Sequence, residues 1–360
     1  MSIIRLDIGQ RLREGRQLAR REYQAQDVLK LGVLRAGNSG IVSVDGEVAA
    51  SCHRVAHLRQ LGIEVDPPDD SSLLMFQLGT ANEQVVYEDL VHTAGSDEVI
   101  LREEEIPIEW FTSNGTKVTG RPDMVICHQT QGPDCEPKPV LCVEIKSIAS
   151  VWTSSAVMFD GEPKLGHLAQ VGHYMWKLGT PGRIVYKQYA IQEIPNWTEV
   201  VNGEKRKGWG QKLFPRAGAP GSELIDYEKG RIRPFEVVYE LEFTDDGVLK
   251  YKREGAETDW TLTIVSTTDI ARFYELVSNM ASTGNLGPRP LTLSPDGSTK
   301  RFTNCAYCPL NAVCDSVEGA DPGTQYLQWL DAVREHVANR GASSEVSPTP
   351  KRVDKRSKLK

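Results

Sequence analysis

Two short groups of residues could bind a metal ion at a phosphodiester: Gly120-Arg121-Pro122-Asp123, then Glu144-Ile145-Lys146. Hydrolysis of that bond calls for a hard divalent cation beside the scissile phosphate. Carboxylate oxygens on rigid strands can hold such an ion and leave positions for water and phosphate. Each group closes or adjoins a stretch patterned as a strand, so Asp123 and Glu144 are expected on adjacent strands, at one Mg2+ or Mn2+. Glu144 and Lys146 are two apart and face the same side of a strand. Lys146 then lies beside the attacking water, and the Ile145 carbonyl is a further ligand. An E-x-K on a strand is ordinarily a solvated face. Here the apolar run Val140-Leu141-Cys142-Val143 precedes it, which reads as a buried strand delivering two charges at its tip.

Further groups extend the set. Gln170 and Tyr174, four apart, share one face of a helix that also holds Lys164, His167 and His173. An amide and a phenol there can bond a phosphate or a neighbouring catalytic side chain. Glu83, in Gly79-Thr80-Ala81-Asn82-Glu83, is a further carboxylate for the metal. Near the other end Cys305, Cys308 and Cys314 are spaced C-x2-C-x5-C. Three thiolates at this spacing can wrap one metal centre, and zinc or a 4Fe–4S cluster each needs a fourth ligand. Cys52 is the candidate, with His53 competing if the metal is zinc. Cys127, Cys135 and Cys142 fall outside the pattern. The odd cysteine count and a charged rather than apolar N-terminus argue against a disulfide framework.

Taken in order, Gly79…Glu83, Gly120…Asp123, Glu144…Lys146 and Gln170…Tyr174 resemble the RecB-like branch of the PD-(D/E)XK nucleases. The likeness spans roughly residues 72–192. Many members carry His where Glu83 stands, while phage-type exonucleases often use Glu. A carboxylate is the harder ligand, which suits magnesium. The cysteine arrangement resembles the iron–sulfur nucleases of this group, namely the CRISPR-associated RecB-type exonucleases and the AddB nuclease domain. In these, one early and three late cysteines hold 4Fe–4S around the nuclease motifs. Ser51-Cys52-His53-Arg54 and the Gly287…Pro290 lead-in match, extending the likeness to about residues 40–316. The resemblance implies a metal-dependent DNA exonuclease, with Glu83, Asp123, Glu144 and Ile145 holding Mg2+ or Mn2+ and Lys146, Gln170 and Tyr174 completing the site. Cys52, Cys305, Cys308 and Cys314 would hold the cluster. Closing a loop of about 250 residues in this way is worth roughly 5–6 kcal/mol in chain-entropy terms.

Elements must deliver these residues. The implied fold is α/β: a PD-(D/E)XK core with a central mixed sheet flanked by helices, and N- and C-terminal segments joined by the cluster. Helices are expected over 8–31, 47–62, 72–92, 163–178, from Thr268 or Asp269 to Met280, and over 323–338. The strands expected are Lys117–Cys127, Pro139–Ser147, Arg183–Ile191, Glu236–Phe243, Val248–Arg253 and Trp260–Val265, with β-structure beginning near Ile106. The organisation is an N-terminal helical region (1–71), a nuclease core (72–285) with an insertion at about 194–262, a cluster segment with a C-terminal helix (286–340), and a disordered basic tail (341–360).

The net charge of −7 argues mildly against a generic basic DNA-coating protein but permits local basic patches. One such patch is Lys205-Arg206-Lys207 with Trp209, in the insertion; Trp152 is a further candidate for stacking a base. No apolar run reaches the ~20 residues of a membrane span, so a cytoplasmic protein is expected. DNA is the expected partner, as single strands or duplex ends, with a separate helicase or recombination protein in DNA repair, recombination or a phage setting. A non-catalytic DNA-end-binding adaptor and a structure- or sequence-specific endonuclease are the alternatives. Cleavage polarity and the number of metals stay open.

Overall fold

The computed structural model describes residues 32–63, 70–129, 137–188, 190–202, 204–208, 210–217, 222–298, 305 and 308–342. The expected helix at 8–31, Cys135, Trp209, the Trp152 side chain and the tail from 343 lie outside the described residues.

The fold is mixed α/β, a seven-stranded sheet flanked by helices. Its strands are β1 (Glu98–Arg102), β2 (Met124–His128), β3 (Lys138–Ser147), β4 (Gly182–Gln188), β5 (Phe235–Phe243), β6 (Val248–Arg253) and β7 (Thr261–Ser266). They lie side by side in chain order. Every neighbouring pair is antiparallel except β3 with β4, which run parallel with Glu144 opposite Ile184. A parallel pair requires a crossover, whereas antiparallel neighbours can turn back directly. The crossover here carries the helix that covers the site.

Besides the five-residue helix Val151–Ser155, the α-helices among the described residues are α1 (His53–Gln60), α2 (Asp70–Thr93), α3 (Leu165–Leu178), α4 (Thr267–Thr283), α5 (Asn311–Ser316) and α6 (Pro322–Ala342). Alternation along β3 splits its side chains between two layers. Cys142 joins Leu168, Val171 and Met175 of α3 in the main core. Val143 and Ile145 pack with Met124, Val185 and Val86 of α2 on the other face. Gly179, at φ 68°, ends α3 in the left-handed conformation and donates its N–H to the Met175 carbonyl. A third, smaller core joins Leu58 of α1, Met280 of α4 and Leu310, Trp329 and Val333 of the C-terminal segment. Among the described residues no helix is long and apolar enough to cross a membrane.

Several expectations are corrected. The helix expected at 47–62 is only α1, because Val48–Ala49 pairs with Ile41–Val42 and Ala50 turns the chain at φ 71°. The strand expected over Lys117–Cys127 is two. Lys117–Gly120 belongs to a small sheet with Leu34–Arg35 and Ile108–Phe111, and β2 belongs to the large one. Pro122, with no N–H to give a ladder, sits at the break. The large sheet begins earlier than Ile106, with the short half-buried edge strand β1. Helix α4 starts at Thr267, capped by Ser266, whose Oγ accepts the Asp269 N–H at 3.1 Å. Asp269 is thus the third helical residue, and its carboxylate accepts the Ser266 hydroxyl at 2.7 Å. Within the span 194–262, residues from 235 onward build β5, β6 and the start of β7. The described residues of the remainder include buried Trp197, Phe214 and Ile232, with Trp197 Nε1 donating to the Tyr227 carbonyl at 2.9 Å.

Candidate functional site

The C-terminal end of β3 meets the N-terminal end of β2, where Met124 pairs with Val143. Asp123 stands just before β2, so the two strands deliver Asp123 and Glu144 to one place. The Asp123 carboxylate accepts the Ile145 N–H at 2.7 Å. In a strand the N–H and C=O of one residue point to the same edge, so the Ile145 carbonyl also faces the Asp123 side. Glu144 is 1% exposed. Its Oε1 accepts from Lys146 Nζ at 2.6 Å, and its Oε2 is buried with no partner. Lys146 Nζ also donates to Gln170 Oε1 at 3.0 Å, and Gln170 Nε2 donates to the Tyr174 hydroxyl at 3.1 Å. A chain of hydrogen bonds therefore runs from the sheet into α3.

Gly120 permits this closeness. A Cβ there would lie 2.7 Å from Tyr174 Cε1 and 2.9 Å from the Ala36 side chain, both held in the core. Glu83 enters from α2, one residue after Asn82, whose amide bonds the Ser147 hydroxyl at the end of β3. The structure thus brings Glu83, Asp123, Glu144, Lys146, Gln170 and Tyr174 together from three layers.

Electrostatics set the chemistry. Burial, then Glu144, pushes the Asp123 carboxyl well above the usual range, against the opposing pull of Lys146. Burial, then Glu103 and Glu144, raises Glu83. Burial works to lower Lys146, but Glu144, Asp123 and Glu83 outweigh it and hold the ammonium above its ordinary value. Three carboxylates face one ammonium, so the site is short of positive charge. A divalent cation would supply it, and the orphaned Glu144 Oε2 is a ligand atom without other employment. Among the described residues, no three His, Cys, Asp or Glu side chains already close on one point as ligands around an ion do.

A cleft of about 550 Å³ opens beside Lys146 and Gln170, walled by Lys164, His167 and Glu162. His167 bonds the Tyr186 hydroxyl at 2.9 Å. Burial, then Lys146 and Lys164, drives its pKa well below the usual value, so it stays neutral. His173 belongs to a different network. Trp110 Nε1 donates to its Nε2 at 2.9 Å, which leaves the proton on Nδ1 for the Tyr274 hydroxyl, also at 2.9 Å. Tyr274 in turn bonds Ser39 at 2.6 Å. Burial, with Lys177, lowers His173 to about 3. Neither this network nor the Asn82–Ser147 bond is signalled by residue spacing, although Asn82 lies within Gly79…Glu83.

The four cysteines of the spacing pattern line one cavity. Cys52 is the N-cap of α1, and it shares that cavity with Cys305, Cys308, Cys314, Arg54 and Arg289. Burial pushes the Cys52 thiol up to about 11, with Cys308 and Cys305 adding to the rise and the Val55 and Arg54 N–H groups opposing it. Four thiols from two distant segments, with no disulfide between them, form a donor set that fits a soft metal centre. Cys127 and Cys142 are buried within the large sheet instead. His53 does not line this cavity; its Nε2 donates to the Leu286 carbonyl at 2.5 Å.

Lys205, Arg206 and Lys207 lie exposed on a hairpin strand, Glu204–Lys207, paired with Thr198–Val201. Alternation puts Arg206 opposite in direction to its two neighbours, so the triplet does not form a single basic face. The chain matches no protein-family model, no curated protein and no solved structure.

Proposed function

We propose that this protein is a metal-dependent DNA exonuclease of the RecB-like PD-(D/E)XK type, carrying a 4Fe–4S cluster, that acts at DNA ends or on single strands in recombination, repair or processing. The observation that carries the reading is the Asp123–Glu144–Lys146 set at adjacent strand ends, with one carboxylate oxygen buried and unpartnered. A structural ion pair alone gives no reason to gather a second and third carboxylate there.

In this reading Asp123, Glu144, Glu83 and the Ile145 carbonyl hold Mg2+ or Mn2+. The bound cation supplies positive charge against the charge that develops on the scissile phosphate. Lys146, held cationic by its anionic surroundings, donates hydrogen bonds to the attacking water and fixes its line of approach. It is not the base that takes the proton. Gln170 fixes Lys146 from behind, and Tyr174 fixes Gln170. Cys52, Cys305, Cys308 and Cys314 hold the cluster, which ties α1 to the C-terminal segment as a structural crosslink.

End-labelled single- and double-stranded DNA, incubated with the protein with and without magnesium, tests the reading. Stepwise shortening that needs the metal and disappears in Asp123→Ala supports it. Intact substrate under all conditions with correctly folded, iron-loaded protein refutes it.

A further inference from the structure

A second cleft, of about 510 Å³, shares Gly37 with the first. Its wall is the small three-stranded sheet. Arg35 pairs with Thr119, and Thr119 pairs with Glu109 on the other side, so these three side chains form one row across the sheet. Lys117, Thr119 and Arg121 alternate along the chain and share that face. The intervening Val118, with Leu34 and Ile108, turns into the core. Arg59 of α1 closes the cleft from the side.

Four cations, Arg35, Arg59, Lys117 and Arg121, thus line the groove against one carboxylate, Glu109, which Lys117 already holds at 2.6 Å. Among the described lining residues the balance is four minus one, or +3, in a chain whose net charge is −7. Alternate strand residues repeat every ~6.8 Å, roughly two nucleotide steps of a strand. Among the described lining residues Tyr174 is the one aromatic, and it is buried. These described residues offer charge for phosphates and no exposed ring for bases. The groove adjoins the first cleft at Gly37, and that cleft reaches Lys146 and Gln170, with Lys146 bonded to Glu144.

We propose that this groove binds the phosphodiester backbone of a nucleic-acid strand and guides it to the carboxylate site, independently of base sequence. The destination of the strand rests on the nuclease reading; the binding itself does not.

The test is fluorescence anisotropy of the full-length protein with labelled oligonucleotides in EDTA, which prevents hydrolysis, over a salt series. The variants are Arg59→Gln with Arg121→Gln, both at exposed positions, and the hairpin triple Lys205→Gln, Arg206→Gln, Lys207→Gln. Two lost phosphate contacts should weaken binding about tenfold or more and lower the log–log salt slope by about 1.4. The hairpin variant should bind as wild type, and oligo-dT and a mixed sequence should bind alike. DNA and RNA oligonucleotides of one length form the two arms, and the polymer that wild type binds more tightly is the occupant. An unchanged slope in the groove variant, loss in the hairpin variant instead, or no binding by wild type overturns the groove. A chain that cleaves DNA while the groove variant binds normally keeps the nuclease reading and loses this proposal. A chain that binds through the groove and cleaves nothing does the reverse.

Discussion

The carboxylate site and the cysteine cavity solve one problem in two ways. Each gathers side chains of the types that ligate metals from distant parts of the chain. At the carboxylate site the positions are fixed by two paired strands and a covering helix. The hydrogen bonds from Glu144 through Lys146 and Gln170 to Tyr174 tie these positions to α3. At the cysteine cavity the donors come from the cap of an eight-residue helix, a turn and the six-residue α5, backed by the small third core. The first site is organised by the fold. Under the proposed function the second would help to organise the fold, because a cluster held by the four thiols would join α1 to the C-terminal segment.

The largest effects should expose this contrast. Asp123→Ala, Glu144→Ala and Lys146→Ala should each lower cleavage by about 10²-fold or more, on the scale of losing one preorganised charge-stabilising group. Circular dichroism and iron content should stay as in wild type, because the sheet holds the site. Near-normal cleavage by all three would remove the site assignment. At the cavity the balance reverses. Cys52→Ser and Cys305→Ser should both lose iron and lower the melting temperature, since hydroxyl replaces thiolate as a ligand, while Cys127→Ser and Cys135→Ser keep iron. Full iron in Cys52→Ser with loss in Cys135→Ser would reassign the fourth ligand.

A smaller effect belongs to Glu83, which reaches the site from α2 and not from the sheet. Glu83→Ala should raise the magnesium needed for half-maximal activity several-fold and leave the maximal rate less affected. A magnesium titration decides it. An unchanged midpoint would confine the metal site to the two strands.

How much of this was legible in the sequence depended on whether a local rule applied. Period-two alternation fixes Glu144 and Lys146 on one face, and the apolar run before them marks a buried strand. The four-residue step from Gln170 to Tyr174 marks a shared helical face, and Gly179 marks its end. Cysteine spacing singled out Cys305, Cys308 and Cys314. Illegible were the features set by contacts between distant segments. The row Arg35–Thr119–Glu109 exists only through strand register. The break at Pro122 separates two sheets, but alternation across Lys117–Cys127 reads as continuous. Edge strand β1 has a single buried residue, Ile100, and so gives a weak pattern. Within 194–232 the bond from Trp197 to the Tyr227 carbonyl joins residues 30 apart, which composition does not reveal.

The smallest effect concerns the rear of α3, and it separates the two regions by pH. One face of this helix holds Gln170 and Tyr174 at the carboxylates; from the same turns His173 enters the buried network of Trp110, Tyr274 and Ser39. His173 has its pKa lowered to about 3 in the folded protein, against about 6.5 for an unperturbed histidine. The unfolded chain therefore binds a proton there that the folded protein refuses. The stability that this contributes is fully present above about pH 6.5 and is lost as pH falls toward 3, with a limiting slope of about 1.4 kcal/mol per pH unit. His167, lowered in the same direction on the same helix, adds to the slope. Melting curves between pH 5 and 7.5 should thus fall toward acid. His173→Gln, which keeps polar atoms but does not titrate, should flatten the curve by up to one proton while lowering stability at pH 7.5. Its iron content should not change, since His173 has no contact with the cysteine cavity. An unchanged pH slope would show that the imidazole is not the group being titrated. Loss of iron in the same variant would show that the two regions are mechanically coupled, and the contrast between a site held by the fold and a site that holds the fold would fail.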